Sequence, residues 1–289
     1  MILDPAIWRA RAAAHAARVD EWVQPHLERR RRGIRHPVHD FLFTYYSHRP
    51  SALRRWHPGY GVTCAVVPHD SVDFGAGYEQ KGEGLSVAPG LLASRRSLVE
   101  RIRRLLLATA SRPPALGCLG LHEWAMVYAG PDRADHRRHD WPLRLGQAGT
   151  DEVVAGHRVG CSHFDAFRFF TPAARGLNTL QPGRDDREAF EQPGCLHAGM
   201  DLYKHSFRLS PLVPSELVAD CFELACDIRE LDMRASPYDL ADLGYSPVPI
   251  ETAAGKREYV EAQRAFAERG APLRQRLVTE CDRLLAAAG

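Results

Sequence analysis

The sequence predicts a mainly α-helical fold, a multi-helix single domain over residues 1–289 with a minor strand element. Apolar residues recur at three- and four-residue intervals over long windows, at 92–110, 214–234 and 254–286. Caps and breakers bracket these windows, such as Asp4-Pro5 before the first helix and Ser111-Arg112-Pro113-Pro114 after another. Strand-like sequence is confined to a short stretch around Val62–Val67. With 45% hydrophobic and 26% charged residues, a chain of this length can bury a core without disulfides. Its seven cysteines are odd in number, scattered, and form no Cys-x-x-Cys pair, which argues against a zinc ribbon. A formal charge of +2 confines any nucleic-acid-binding surface to a local patch. There is no apolar leader core and no run of 18 apolar residues, so the expected setting is a reducing cytoplasm, away from membranes.

In chain order, residues 5–32 read as one long helix, with Asp4 as its cap and Pro5 at the first helical position. Ile7, Ala14, Ala17 and Val19 mark its apolar side, Trp8 and Trp22 are larger anchors, and Pro25 is a point at which it kinks or splits. Arg29–Arg32 close it, complementing the helix C-terminal dipole or meeting phosphate. Val38, Phe41, Leu42 and Tyr45 then have helical spacing, while His39, Asp40, Tyr46 and His48 are less easily assigned to packing. Residues 51–90, rich in Gly and Pro, read as loops. The helix over 92–110 turns Leu98, Ile102, Leu105 and Leu106 inward and Arg95, Arg96, Arg101, Arg103 and Arg104 mostly outward. A shorter helix at 119–129 carries His122, Glu123 and Trp124, and residues 130–150 read as an exposed, charged loop. Cys161, His163, Asp165, Phe167 and Arg168 lie in an aromatic stretch, followed by loop-like sequence over 176–194. On the helix after Pro214-Ser215-Glu216, Asp232 follows Ile228 by four positions and places a carboxylate on the apolar stripe. The last helical window, 254–286, is expected to break near Gly270-Ala271-Pro272.

The candidate chemistry centres on Cys195–His205. Read as a helix, it projects His197, Asp201 and His205 from one face, with Lys204 beside them. Lys204 is one of only three lysines among 38 lysines and arginines, so a lysine is not the default cation of this chain. Either the stripe is the wet side of an amphipathic helix or it is a pocket wall. Four polar-aromatic patches supply acids, bases, a cation and stacking faces: His39/Asp40/Tyr46, His122/Glu123/Trp124, Cys161/His163/Asp165/Phe167/Arg168 and Cys195/His197/Asp201/Lys204/His205. An enzymatic reading rests on several of these patches converging in a shared cavity.

Five segments carry a resemblance: His39–Ser47, Gly120–Tyr128, Cys161–Pro172, Gln192–His197 and Asp232–Leu240. Across these, and over roughly residues 8 to 280, the chain resembles an actinobacterial family labelled 3-methyladenine DNA glycosylase. That resemblance implies DNA repair by an N-glycosidic hydrolase, acting on a damaged base drawn out of the stack and held between aromatic faces. It needs a carboxylate that stabilises positive charge on the sugar or activates water. On this reading Asp165 or Asp201 is the acid/base carboxylate, with Glu123 as a further candidate, and His163 and His197 are hydrogen-bonding partners. Trp124, Phe164, Phe167 and Tyr203 supply stacking faces, and His39, Tyr46, His122, Arg168 and His205 complete the substrate contacts. Lys204 is required only by a lyase reaction through a Schiff base. No helix-hairpin-helix glycine motif is present, and the basic sequence is limited to Arg29–Arg32 and the arginines of 92–110.

Two other classes fit the same residues. A small-molecule enzyme could use a metal between His197, Asp201 and His205 with Glu123 or His163, or a nucleophile among Cys195, Cys161 and Lys204. A non-catalytic partner subunit would use the pocket as a hydrogen-bonded core. No cofactor is expected. The expected partner is DNA with a damaged base or a small-molecule substrate.

Overall fold

The computed structural model describes residues 1–67, 74–130 and 141–288. In chain order the first half comprises β1 (Ile2–Leu3), α1 (Pro5–Arg31), α2 (Phe41–Tyr45), α3 (Pro50–Arg54), β2 (Thr63–Ala65), β3 (Tyr78–Lys81), β4 (Gly84–Val87) and α4 (Pro89–Ala110). There follow α5 (Leu121–Ala125), α6 (Gly146–Ala155), α7 (Phe164–Phe167), α8 (Pro172–Arg175), α9 (Arg187–Phe190), α10 (Leu196–Leu209), α11 (Ser215–Arg234) and α12 (Ala253–Ala287). The fold is mainly α with one small sheet, as the periodicity predicts. Among the described residues no helix is long and apolar enough to cross a membrane.

The chain divides into two compact units, and each is interrupted in sequence. One comprises residues 1–106, 201–225 and 272–289; the other comprises 107–200 and 226–271.

In the first unit, Asp4 caps α1 by accepting a 2.8 Å hydrogen bond from the Ala6 amide, with Pro5 in the first turn. The helix continues through Pro25. Its buried residues are Trp8, His15, Val19, Val23 and His26, whereas Ile7 is 53% exposed and Ala14 and Ala17 are also exposed. His15 is buried because its Nε2 meets the Leu53 carbonyl at 2.9 Å, and His26 because its Nδ1 meets Asp40 at 2.9 Å. The sheet runs β1-β2-β4-β3, with β1 parallel to β2 and the other pairs antiparallel. Lys81 pairs with Gly84 across a tight turn in which Gly82 takes a φ of 59°. Residues 51–90 therefore hold a hairpin and the end of α3, besides the strand expected near Val62–Val67. Trp8, Trp56, Cys64 and Phe74 form a core cluster packed with Leu3, Ala12, Tyr78 and Leu85.

In the second unit, α6 begins at Gly146, inside the stretch expected to be loop. The charged residues of that stretch, Asp132 to Asp140, lie outside the described residues. A short helix, α9, interrupts the loop expected over 176–194. Trp124 is fully buried, and its indole N–H donates to the Ala235 carbonyl at 2.8 Å. Asn178 holds Cys161 by both backbone groups, at 2.7 and 2.9 Å. Helix α12 runs unbroken from Ala253 to Ala287, so the expected break at 270–272 is absent. Pro272 lies on its exposed side, where a carbonyl deprived of its partner amide can meet solvent.

Candidate functional site

The residues singled out from sequence fall into two groups. The first is in the first unit. Asp201, 1% exposed, lies in α10 and accepts hydrogen bonds on both oxygens: from the Tyr46 hydroxyl at 2.9 Å and from Lys204 Nζ at 3.1 Å. Lys204 is three positions along the same helix, and its side chain remains partly exposed. Aromatic rings enclose the carboxylate's partners. Tyr46 is edge-on to Tyr203 at 5.7 Å and stacked with His48 at 5.8 Å, and His48 lies flat on Phe207 at 3.8 Å. Burial, with the charges of Arg208 and Lys204, pulls His48 down to about 4, so it is neutral at pH 7. Tyr203 and His205 are buried on α10, which excludes the reading of this stripe as a solvated face.

The other residues of the first patch separate from Tyr46. His39 is exposed, with its ring 4.4 Å from His36. Asp40 accepts from Arg29 at 2.6 and 3.0 Å and from the His36 amide at 2.9 Å, so it fastens the chain leaving α1.

The second group is in the second unit and is built around α5 and α11. Arg229 Nη1 donates to Glu123 Oε1 at 2.9 Å and to Asp232 Oδ2 at 2.6 Å. Asp232 Oδ1 meets His122 Nε2 at 2.8 Å, and His122 Nδ1 faces Cys118 Sγ at 3.8 Å. All but Cys118 are buried, and Asp232 is inaccessible. The local backbone explains how Cys118 reaches this line. Leu119 and Gly120 adopt φ of 51° and 71°, and this left-handed pair leads directly into the short helix α5. A non-glycine residue in that region costs on the order of 1–2 kcal/mol, which the surrounding structure must offset. At Gly120 a Cβ would lie 3.3 Å from the Tyr259 ring, so bulk is disfavoured there as well.

The electrostatics follow from this geometry. Burial pushes Asp232 up, but His122, Arg229 and His197 together hold it well below the usual carboxylate range. Burial opposes charge on His122, yet Asp232 and Cys118 outweigh it and raise the imidazole well above its ordinary value. For Cys118, the influence of the Cys161 thiol and of the neighbouring His122 outweighs burial and brings the thiol well below its ordinary value. Cys161 is pushed up by the influence of Cys118 and by burial, and Cys195 by burial first.

The remaining histidines continue this network. The His197 ring is 4.6 Å from His122 and 5.3 Å from His163. His163 Nε2 lies 3.4 Å from Glu191, which Arg187 holds at 2.5 Å. His122, Glu123 and Asp232 bring three potential ligand atoms within 4.8 Å of one another. The Arg229 guanidinium already bonds to both carboxylates of that trio, so a resident cation offsets one of their two charges. Asp165 pairs with Arg168 at 3.4 Å, and Arg168 lies 4.2 Å over Phe169. Phe167 packs edge-on against Phe170. Trp124 serves as a core anchor.

Sequence reasoning did not single out Cys118, Arg187, Glu191 or Arg229 as site residues. A signal existed for Arg229, because it stands three positions before Asp232, the carboxylate placed on the apolar stripe. No family model, no curated protein and no solved structure matches the chain.

Proposed function

We propose that the protein cleaves N-glycosidic bonds to purine bases, the reaction type implied by the resemblance to alkyladenine DNA glycosylases, with Asp201, Lys204 and Tyr46 as its working groups. The observation that carries this reading is the buried Asp201 carboxylate held between a phenol and an ammonium that both keep partial exposure. Cleavage needs negative charge near a sugar that develops oxocarbenium character and a proton for the departing base. Asp201 supplies the charge, and Tyr46 or Lys204 the proton. The partly exposed ring of Tyr46 suits contact with a purine. Asp201 is preferred to Asp165, which is spent on its pair with Arg168.

A small N-glycoside in place of DNA is the second reading, and the arginines of α4 favour it. Arg95 donates to the carbonyls of Arg208 and Ser210, Arg96 pairs with Glu100, and Arg103 pairs with Asp282. Those guanidiniums are engaged within the fold rather than offered to a phosphate backbone.

Chromatographic release of free base from methylated DNA, and from N3- and N7-methylated purine nucleosides, tests both readings. Asp201→Asn with an unchanged circular dichroism spectrum is expected to lower the rate about a hundredfold or more. Borohydride trapping of a covalent adduct that disappears in Lys204→Ala would assign a lyase reaction; no trapping would assign simple hydrolysis. Absence of base release from every substrate, or full activity in Asp201→Asn, overturns the proposal.

A further inference from the structure

The buried polar cluster of the second unit has no part in that reaction. We infer that His122, Glu123 and Asp232 form a structural site for a divalent transition-metal ion such as zinc, which ties α5 to α11.

One donor atom from each of the three side chains lies within 4.8 Å of the other two. His122 Nε2 and Asp232 Oδ1, at 2.8 Å, already have the spacing of neighbouring ligands, since donors about 2.1 Å from a common ion stand roughly 3 Å apart. Arg229 does not take the place of the ion. Its Nη1 bonds to Glu123 Oε1 and Asp232 Oδ2, which leaves one oxygen of each carboxylate to the metal and makes the guanidinium an outer partner that orients both. The imidazole is held on its far side as well, where Nδ1 faces Cys118 Sγ at 3.8 Å. His197 stands beside the trio as a further imidazole, its ring 4.6 Å from that of His122.

Charge points the same way. Two carboxylates are buried with one guanidinium, so one negative charge remains to be offset. A divalent ion seated where the proton between His122 and Asp232 otherwise lies offsets it and bonds to all three side chains at once. Imidazole with carboxylates suits zinc and its first-row neighbours, whereas magnesium and calcium take oxygen ligands. All three side chains are buried, which is the closed form of a structural site, so the ion enters as the chain folds. The benefit falls on α5. It spans five residues, too few to persist on its own hydrogen bonds, and two of them are ligands fastened to the long helix α11.

The test expresses the full chain in medium supplemented with zinc and in medium depleted of it, desalts the protein, and measures metal per chain by elemental analysis. The expected result is about one divalent transition ion per chain, falling at least about tenfold in Asp232→Asn and in His122→Gln. His39→Ala, which removes an exposed imidazole next to His36, should keep the ion. The zinc-replete protein should melt several degrees above the depleted one. X-ray absorption at the zinc edge should show nitrogen and oxygen ligands at about 2.0–2.2 Å and no sulfur. No ion on the purified chain, an ion retained in full by Asp232→Asn, equal melting with and without zinc, or a shell of sulfur ligands overturns the inference. Metal content, melting and absorption are read on the unmodified chain, so they decide the matter even where a variant fails to fold.

Discussion

Four histidines, His36, His48 and His57 in the first unit and His122 in the second, are shifted in opposite directions. In the first unit His36, His48 and His57 are each drawn down to about 4, with burial as the largest cause. The His57 ring meets the Tyr78 hydroxyl at 3.0 Å and lies near the Arg55 charge, while His48 lies flat against Phe207. In the second unit His122 is at least as deeply enclosed and is nevertheless held as imidazolium. The difference is one carboxylate at 2.8 Å whose own charge is secured by Arg229. Burial alone therefore does not decide ionisation; a desolvated counter-charge does. The price is that the second unit depends on an exact balance among Arg229, Glu123, Asp232 and His122.

The strongest way to break this comparison is Arg229→Leu. It leaves Glu123 and Asp232 as two buried carboxylates without their shared cation, and urea denaturation should show a loss of about 3–5 kcal/mol. A loss below about 1 kcal/mol would mean that the cluster does not rely on charge balance.

Acidification tests the other side. For His36, His48 and His57 the folded value lies near 4 and the unfolded value near 6.5, so between those limits the unfolded chain binds protons that the folded chain refuses. Their contribution is complete above pH 6.5 and is lost as the pH falls toward 4. His122 contributes in the opposite sense: its stabilisation is complete below pH 6.5 and is lost as the pH rises through its elevated folded value. Thermal melts between pH 7 and 4 should show a falling midpoint, with a shallower fall in His57→Gln; a flat profile would refute neutral burial. The smallest effect is expected from Arg276→Ala. This guanidinium is half exposed and shares Asp220 with Arg18, so its removal should change stability by less than about 1 kcal/mol.

The helices were legible where local chemistry specifies them. Asp4 and Pro5 mark the start of α1, and the apolar stripe of α11 marks its buried side. The buried face of α1 departs from its apolar spacing because His15 and His26 become interior when Leu53 and Asp40 satisfy their rings. Pro25 and Pro272 are helix breakers by residue type, but on solvent-facing sides they interrupt neither helix. The β3–β4 hairpin was hidden in sequence whose glycines suggested only loop. At the sites, residue types were legible but pairings were not. Tyr46 and Asp201 are 155 positions apart, and His122 and Asp232 are 110 apart; no local periodicity encodes such separations.

The interrupted make-up of the units has a consequence for the order in which the protein is built. Residues 1–106 belong to a unit that also draws on residues 201–225 and 272–289. During synthesis residues 1–106 must wait, with their tryptophans incompletely sheltered, until residues 272–289 have been added. Late completion of that unit is thus written into the connectivity of the chain, independently of how stable the finished molecule is.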